Sequence, residues 1–312
     1  MAPDAHVAPS VPAKPFLKWA GGKTQLLDQF VGLYPVAGSF KRYIEPFVGS
    51  GAVFFQIKAL LDPPSAILAD GNEELINVYK AVRDDVEGLI RTLRKHKAAH
   101  CRDYYYTVRA KRGSQLTGTA RAARLIYLNK TCYNGLYRVN SRGEFNVPMG
   151  AYADPAILNE ENLRQASAAL RRVRLEVADF TRVLSIARRG DFIYFDPPYH
   201  PISETAYFTS YTEKSFKTED QRRLAQLYRA LDKKGCLLML SNSETPLVRE
   251  LYQDRYRIQI VSARRNINSR ADKRGRIPEI VVTNYPPAAQ AERVLLPSRS
   301  AARRPGNQPV TR

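Results

Sequence analysis

The chain has 312 residues, 44% of them apolar and 25% charged, an ordinary globular composition that excludes a wholly disordered chain, a collagen and a coiled coil. Its three scattered cysteines, Cys101, Cys132 and Cys236, argue against a disulfide framework and a zinc ribbon, and no apolar run approaches the ~20 residues of a membrane span. Lys+Arg 49 against Asp+Glu 30 leaves +19 and a pI of about 9.9, an excess that points to a polyanionic partner, nucleic acid before a membrane.

Residues 1–14, rich in Ala, Pro and Val, carry no regular period and read as a disordered tail. The block Phe16-Leu-Lys-Trp-Ala-Gly-Gly-Lys23 follows, with the only Trp of the chain. Its Gly-Gly-Lys ending lacks the glycine spacing and the preceding strand of a phosphate loop. Trp19 offers a ring face to a cation such as a sulfonium, and Lys23 offers a charge to a carboxylate. A short apolar run at 43–45 predicts the first strand. It leads into Glu45-Pro-Phe-Val-Gly-Ser-Gly51, a Gly-x-Gly turn that lets backbone approach a ligand, ahead of a helix over 51–61. A second strand over 66–69 ends at Asp70, about twenty residues on, where a carboxylate suits ribose hydroxyls. Turn and carboxylate together point to an adenosine-containing cofactor.

A helix over 73–83 leads to 86–172, which lacks convincing strands and reads as a mostly helical insertion. Between 91 and 142 it carries 13 Lys or Arg against one acid, Asp103, with six tyrosines interleaved. Cations for phosphates and rings near bases compose a nucleic-acid surface, although a single basic cluster is often only a solvated helix face. The stretch 127–150 is dense in Asn, Arg, Tyr and Gly around an Asn134-Gly135 turn. Arginine commonly reads guanine, and asparagine adenine, in the major groove.

Strands are then expected over 173–177, 191–195, 236–240, 258–261 and 280–284, with a helix over 218–232. This alternation predicts a mostly parallel sheet with helices on both faces, and ligands bound beyond the carboxyl ends of its strands. Glu45, Asp70, Asp179, Asp196 and Ser241 stand at those ends. Asp196-Pro-Pro-Tyr199 is the most informative of them. Consecutive prolines fix the backbone and donate no N–H, so a carboxylate and a rigid carbonyl make a paired acceptor for an amine. The adjacent tyrosine ring can stack on a flat heterocycle. A second basic cluster spans Arg264 to Arg276, and 286–312, with five prolines and five arginines, reads as a disordered basic tail. The four histidines are scattered, and no metal site is expected.

In this order the blocks FLKWAGGK, EPFVGSGAVFF, LADGNEELINVY, YNGLYRVNSRGEFNVP, DFIYFDPPY and SNSETP resemble those of the Dam-type DNA adenine-N6 methyltransferases, the D12 class or alpha group, over roughly residues 16–285. The resemblance implies an α/β fold: a Rossmann-like class I S-adenosylmethionine-dependent methyltransferase sheet, parallel but for one reversed strand, with an inserted helical target-recognition domain. The catalytic core would be discontinuous, 15–85 and 173–285. Residues 86–172 would bind DNA, and the tails would be 1–14 and 286–312. Matching positions imply that Trp19, Lys23, Asp70 and Asp196 contact S-adenosylmethionine, that the loop with Pro46, Gly49 and Gly51 passes beneath it, and that Asp179 and Phe180 flank its adenine. Asp196, Pro197, Pro198 and Tyr199 would form the pocket for the target adenine. Lys18, Tyr133, Asn134, Leu136 and Arg138 match DNA-contacting positions. Close relatives of this type usually act on GATC. Ala151 stands where they carry an arginine used in DNA contact, so the expected site is GATC or GATC-like.

The expected reaction is methyl transfer from S-adenosylmethionine to N6 of an adenine flipped out of double-stranded DNA. No metal, no membrane, a monomer in the bacterial or phage-infected cytoplasm and a possible cognate restriction endonuclease complete the picture. Cytosine N4, an RNA adenine or a protein glutamine remain alternative acceptors, and a DNA-binding protein without catalysis is the alternative of a different class.

Overall fold

The structure, a computed structural model, describes residues 12–199, 216–264 and 276–286. Most of both expected tails, the greater part of the second basic cluster and His200 lie outside the described residues. Lys14, placed by the sequence in the first tail, exchanges two hydrogen bonds with Asn162, through Nα at 2.8 Å and the carbonyl at 2.9 Å.

Seven strands form one sheet: β1 (Arg42–Glu45), β2 (Ser65–Asp70), β3 (Val173–Val177), β4 (Phe192–Phe195), β5 (Leu237–Ser243), β6 (Arg257–Arg264) and β7 (Arg276–Thr283). Their spatial order is β3-β2-β1-β4-β5-β7-β6. The pairs from β3 to β5 are parallel, and β7 runs antiparallel to both β5 and β6. This is the expected methyltransferase sheet with its one reversed strand. The β5–β7–β6 ladder extends further than the sequence indicated. Ser241, expected just past its strand, is inside β5 opposite Val281, because β7 runs alongside and satisfies its backbone. The fourth strand starts one residue later than expected, and Asp191 instead receives Arg42 Nε at 3.0 Å.

The helices are α1 (Leu27–Phe30), α2 (Ala52–Leu60), α3 (Glu73–Asp84), α4 (Val86–Ala98), α5 (Arg102–Ala110), α6 (Gly118–Thr131), α7 (Glu160–Leu170), α8 (Val183–Ile186), α9 (Thr218–Lys233) and α10 (Pro246–Tyr252). Several starts carry capping side chains: Asn72 accepts from Leu75 N–H for α3, Asp85 from Gly88 N–H for α4 and Thr245 from Val248 N–H for α10.

The two-residue period of the strands divides the sheet between two cores. Tyr43, Leu68, Leu175, Phe192, Tyr194, Met239 and Val281 belong to a large cluster with α2, α3, α4, α6 and α7. Ile44, Ile67, Ile193, Phe195, Leu238, Leu240 and Val282 belong to a second cluster with α9 and α10. Among the described residues of 86–172 there is no strand, as expected. Two isolated bridges, Cys132 to Met149 and Val139 to Phe145, fold the loop after α6 back on itself.

Candidate active site

The period that sorts the cores also places the polar groups. Glu45, Asp70, Asp196, Ser241 and Glu279 continue the register of Tyr43, Leu68, Tyr194, Met239 and Val281. All five therefore fall on one face of the sheet, at the carboxyl ends of the parallel strands. A cavity of about 520 Å³ opens there, lined by Trp19, Lys23, Glu45, Phe47, Val48, Gly49, Ser50, Asp70, Asp196, Pro197, Pro198 and Tyr199, among others.

The glycine turn is built for close approach. Gly49 and Gly51 hold φ of +47° and +71°, a region that side chains disfavour. A Cβ at Gly51 would stand 2.5 Å from the Tyr79 hydroxyl oxygen, and one at Gly49 would stand 3.1 Å from Trp19 Cδ1. The turn is tied to the second strand by Val48 N–H to Ala69 O at 3.0 Å and by Gly49 N–H to Asp70 Oδ2 at 3.2 Å. Asn72 N–H donates to the other Asp70 oxygen at 2.9 Å. Burial raises the Asp70 carboxyl above the ordinary range, and these two N–H groups pull it back. Each oxygen keeps a lone pair for a hydroxyl in the cavity.

Trp19 stacks on Tyr137, with centroids 5.3 Å apart, and so bridges the cavity to the loop after α6. Lys23 is buried. Its Nζ forms an ion pair with Asp196 Oδ1 at 2.8 Å, donates to Gly21 O at 2.6 Å and lies 4.5 Å from the Tyr199 ring centroid. Its charge is thus committed to the Asp196 carboxylate. Asp196 Oδ1 also accepts from the Ser241 hydroxyl at 3.0 Å, and that hydroxyl lies 2.7 Å from the Tyr194 hydroxyl. Burial pushes the Asp196 carboxyl above its ordinary value, while Lys23 and then Ser241 pull it down. Among the described residues nothing donates to Oδ2. The Pro198 carbonyl accepts Gln221 Nε2–H at 3.1 Å, whereas no described donor takes the Pro197 carbonyl. Tyr199 donates its hydroxyl to Glu279 Oε2 at 2.5 Å, and burial raises Glu279.

The remaining residues singled out by the sequence lie outside this cavity lining. Pro46 and Gly51 support the turn. Asp179 is exposed and accepts from Thr181, while Phe180 stacks on Phe47 at 5.4 Å, next to the cavity wall. A second group gathers around a residue that the sequence did not flag. Buried Asn129 accepts Lys18 N–H at 2.8 Å and donates to Lys18 O and Gly135 O at 2.7 and 2.9 Å. It fastens the first block to the Asn134-Gly135 turn, where Asn134 takes φ +54°. Lys18, Tyr133, Asn134, Leu136 and Arg138 all lie exposed around it, Tyr133 by 54% and Leu136 by 40%. Arg138 does not pair with Glu144. Its Nε donates to Asn146 Oδ1 at 2.7 Å, and Glu144 is held by Arg112 and Arg142.

Glu45, Tyr194, Ser241 and Glu279 are further site residues. Tyr43 and Tyr194 each stand two positions before a strand-end acid, and strand geometry puts both members on one face. The Tyr43 hydroxyl donates to Glu45 at 2.8 Å. That Tyr-x-acid spacing is visible in the sequence. Glu279 has no such signal, because its place depends on the reversal of β7.

Comparison with known proteins agrees with this geometry. The family model of D12 class N6 adenine-specific DNA methyltransferases matches residues 19–267. The Type II methyltransferase M.MjaIII of Methanocaldococcus jannaschii is 45% identical over 87% of this chain and 99% of its own length. The Type II methyltransferase M1.LlaDCHI of Lactococcus lactis subsp. cremoris is 42% identical over 87% and 95%. The DNA adenine methylase of Escherichia coli K12 is 35% identical over 87% and 95%. A matched family model over most of the chain, relatives aligned nearly end to end and a sheet that is parallel but for one reversed strand agree: the chain belongs to the D12 class of N6 adenine-specific DNA methyltransferases.

Proposed function

We propose that the enzyme transfers the methyl group of S-adenosylmethionine to N6 of an adenine flipped out of double-stranded DNA, within a GATC or GATC-like site. The observation that carries this reading is the Asp196 carboxylate. Two donors converge on its Oδ1, while its Oδ2 and the neighbouring Pro197 carbonyl accept nothing from the described residues. An exocyclic amine needs two acceptors to leave its lone pair pointed at an electrophile.

The cavity residues suit the methyl donor. Asp70 would take its ribose hydroxyls, and Trp19 with the turn at Gly49 would line its path. Phe180 and Asp179 would stand on its adenine side. S-adenosylmethionine supplies an electrophilic methyl on a sulfonium. Everything else falls to the chain. Tyr199 stacks the flipped base and offsets part of the few kcal/mol that flipping costs. Asp196 and the Pro197 carbonyl accept from N6, localise its lone pair and stabilise the positive charge that grows there, and Pro198 keeps the turn rigid. The fixed arrangement supplies proximity.

Residues 15–85 and 173–285 form the catalytic part in this reading, and 86–172 reads the target through Tyr133, Asn134, Leu136 and Arg138, with Lys18 beside them. Exposed Ala151 leaves one DNA contact of GATC-type relatives unmade. A monomer in a bacterial or phage-infected cytoplasm, with or without a partner restriction endonuclease, fits this function. The test is incubation with labelled S-adenosylmethionine and genomic DNA, followed by sequencing for modified bases. N6-methyladenine in a single context related to GATC is expected. Label in cytosine, RNA or protein, or none at all, would overturn the reading.

A further inference from the structure

We propose that Ser241 is a positioning residue of the methyl-transfer site: its hydroxyl, ordered by Tyr194, fastens Asp196 Oδ1 so that Oδ2 is the oxygen that receives the target amine. The inference rests on the reading of Asp196 as the amine acceptor.

Proton counting sets the direction of the chain. Ser241 has one hydroxyl hydrogen and lies 3.0 Å from Asp196 Oδ1 and 2.7 Å from the Tyr194 hydroxyl. An ionised carboxylate only accepts. Ser241 therefore donates to Asp196, and Tyr194 donates to Ser241. Both residues are completely buried, at 0% exposure. Ser241 occupies a core position of the fifth strand, opposite Val281, where an apolar side chain would pack without the need for partners. Asp196 and Tyr194, which its hydroxyl contacts, and Tyr199 beside them all belong to the site.

Lys23, its Nζ held by Gly21 O, places one donor on Oδ1, and a single contact leaves the carboxylate free to tilt about it. The Ser241 hydroxyl is fixed by the sheet and approaches from the fifth strand, while Lys23 approaches from the N-terminal block. Two donors from different elements on one oxygen define the plane of the carboxylate. Charged or titratable groups facing Asp196 are Lys23 from the N-terminal block, Glu45 from the first strand, Tyr194 from the fourth, Tyr199 from the turn and Glu279 from the seventh. Loss of the Ser241 bond leaves burial opposed by Lys23 alone, so the carboxyl titrates at higher pH.

The experiment compares Ser241→Ala, Ser241→Thr, Tyr194→Phe, the Ser241→Ala/Tyr194→Phe double variant and Asp196→Ala with the native enzyme. Single-turnover methylation is followed against pH. In parallel, affinity without methyl donor is measured for duplexes carrying adenine or purine, which lacks the amino group, at the target position. Ser241→Ala should slow methylation by about 10- to 100-fold, move the acid limb to higher pH and erase the preference for adenine over purine. Ser241→Thr should restore much of the rate. Tyr194→Phe should shift the same observables less, and the double variant should be no slower than Ser241→Ala, since Tyr194 acts through Ser241. A native rate and acid limb in Ser241→Ala, with Asp196→Ala inactive, would overturn the role of Ser241 and leave that of Asp196 standing. An active Asp196→Ala would instead remove the reading on which both rest. Should Ser241→Ala fail to fold, an unshifted rate and acid limb in Tyr194→Phe overturns the proposal.

Discussion

In the proposed reaction Asp196 combines two properties that oppose each other: a carboxylate that takes the amine must be buried to exclude water, yet burial favours its protonated form, which cannot take it. Lys23 supplies the charge that keeps it ionised. Asp196→Ala should therefore reduce methyl transfer by ~10²–10³ or more, with DNA affinity within a factor of a few, as read by steady-state rates and equilibrium binding. The raised carboxyl also fixes a pH dependence. In that reading transfer needs the ionised form, so kcat should fall as pH drops through the folded value. That acid limb should lie above the ~3.9 of an ordinary aspartate. A kcat–pH profile checks it, and a limb at or below the ordinary range would exclude Asp196 from the step. At this scale the acids at the strand ends were legible in the sequence, because a turn signal follows each strand. What was not legible is the partner of Lys23. The sequence offered it to a cofactor carboxylate, and only the folded block shows Asp196 within reach.

Among the elements, the glycine turn and the loop after α6 depend most on backbone geometry. Gly51→Ala adds a methyl group in a left-handed conformation against the Tyr79 hydroxyl. It should cost about 1–3 kcal/mol of stability, measured by thermal or denaturant unfolding, and should weaken methyl-donor binding as the turn shifts. Arg138 lies exposed on the other loop, where Asn146 takes its Nε at 2.7 Å and one Nη at 3.3 Å. If it reads guanine, Arg138→Ala should cost about 1–3 kcal/mol of discrimination and relax one base position. A library of sites varied one base at a time is the measurement. An evenly lowered profile would mean that Arg138 only positions the DNA. The strands and the three longer helices α2, α3 and α9 were readable from apolar runs and their spacing, whereas the short α1, α8 and α10 were not. The length of β5 and β7 was not, because each extends through pairing with the other and not through its own sequence.

Over the whole molecule, the basic block between 91 and 142 is less bare than its composition suggests. Arg94, Arg112, Arg121 and Arg142 pair with Glu160, Glu144, Glu74 and again Glu144, three acids of which lie outside that window, and Arg124 is buried against backbone carbonyls. A sequence window cannot show pairs made across 47 or 66 positions. The cations left exposed still suffice for about five phosphates, so log K for DNA should fall with log salt at a slope near −4 to −5. Titrations between ~50 and ~200 mM salt test this, and a flat response would mean that the block faces something else. The larger core has a consequence of its own. Leu89, Leu93, Tyr105, Tyr127 and Val147 of the inserted segment pack in the same cluster as Tyr43, Phe192 and Val281 of the sheet. Residues 86–172 excised alone would leave that apolar surface bare and should not fold, and a graft of the whole segment from a relative would have to match a foreign interior. If the exposed loop reads the target as proposed, target preference should be open to change by point substitution there, and closed to exchange of the segment as a cassette.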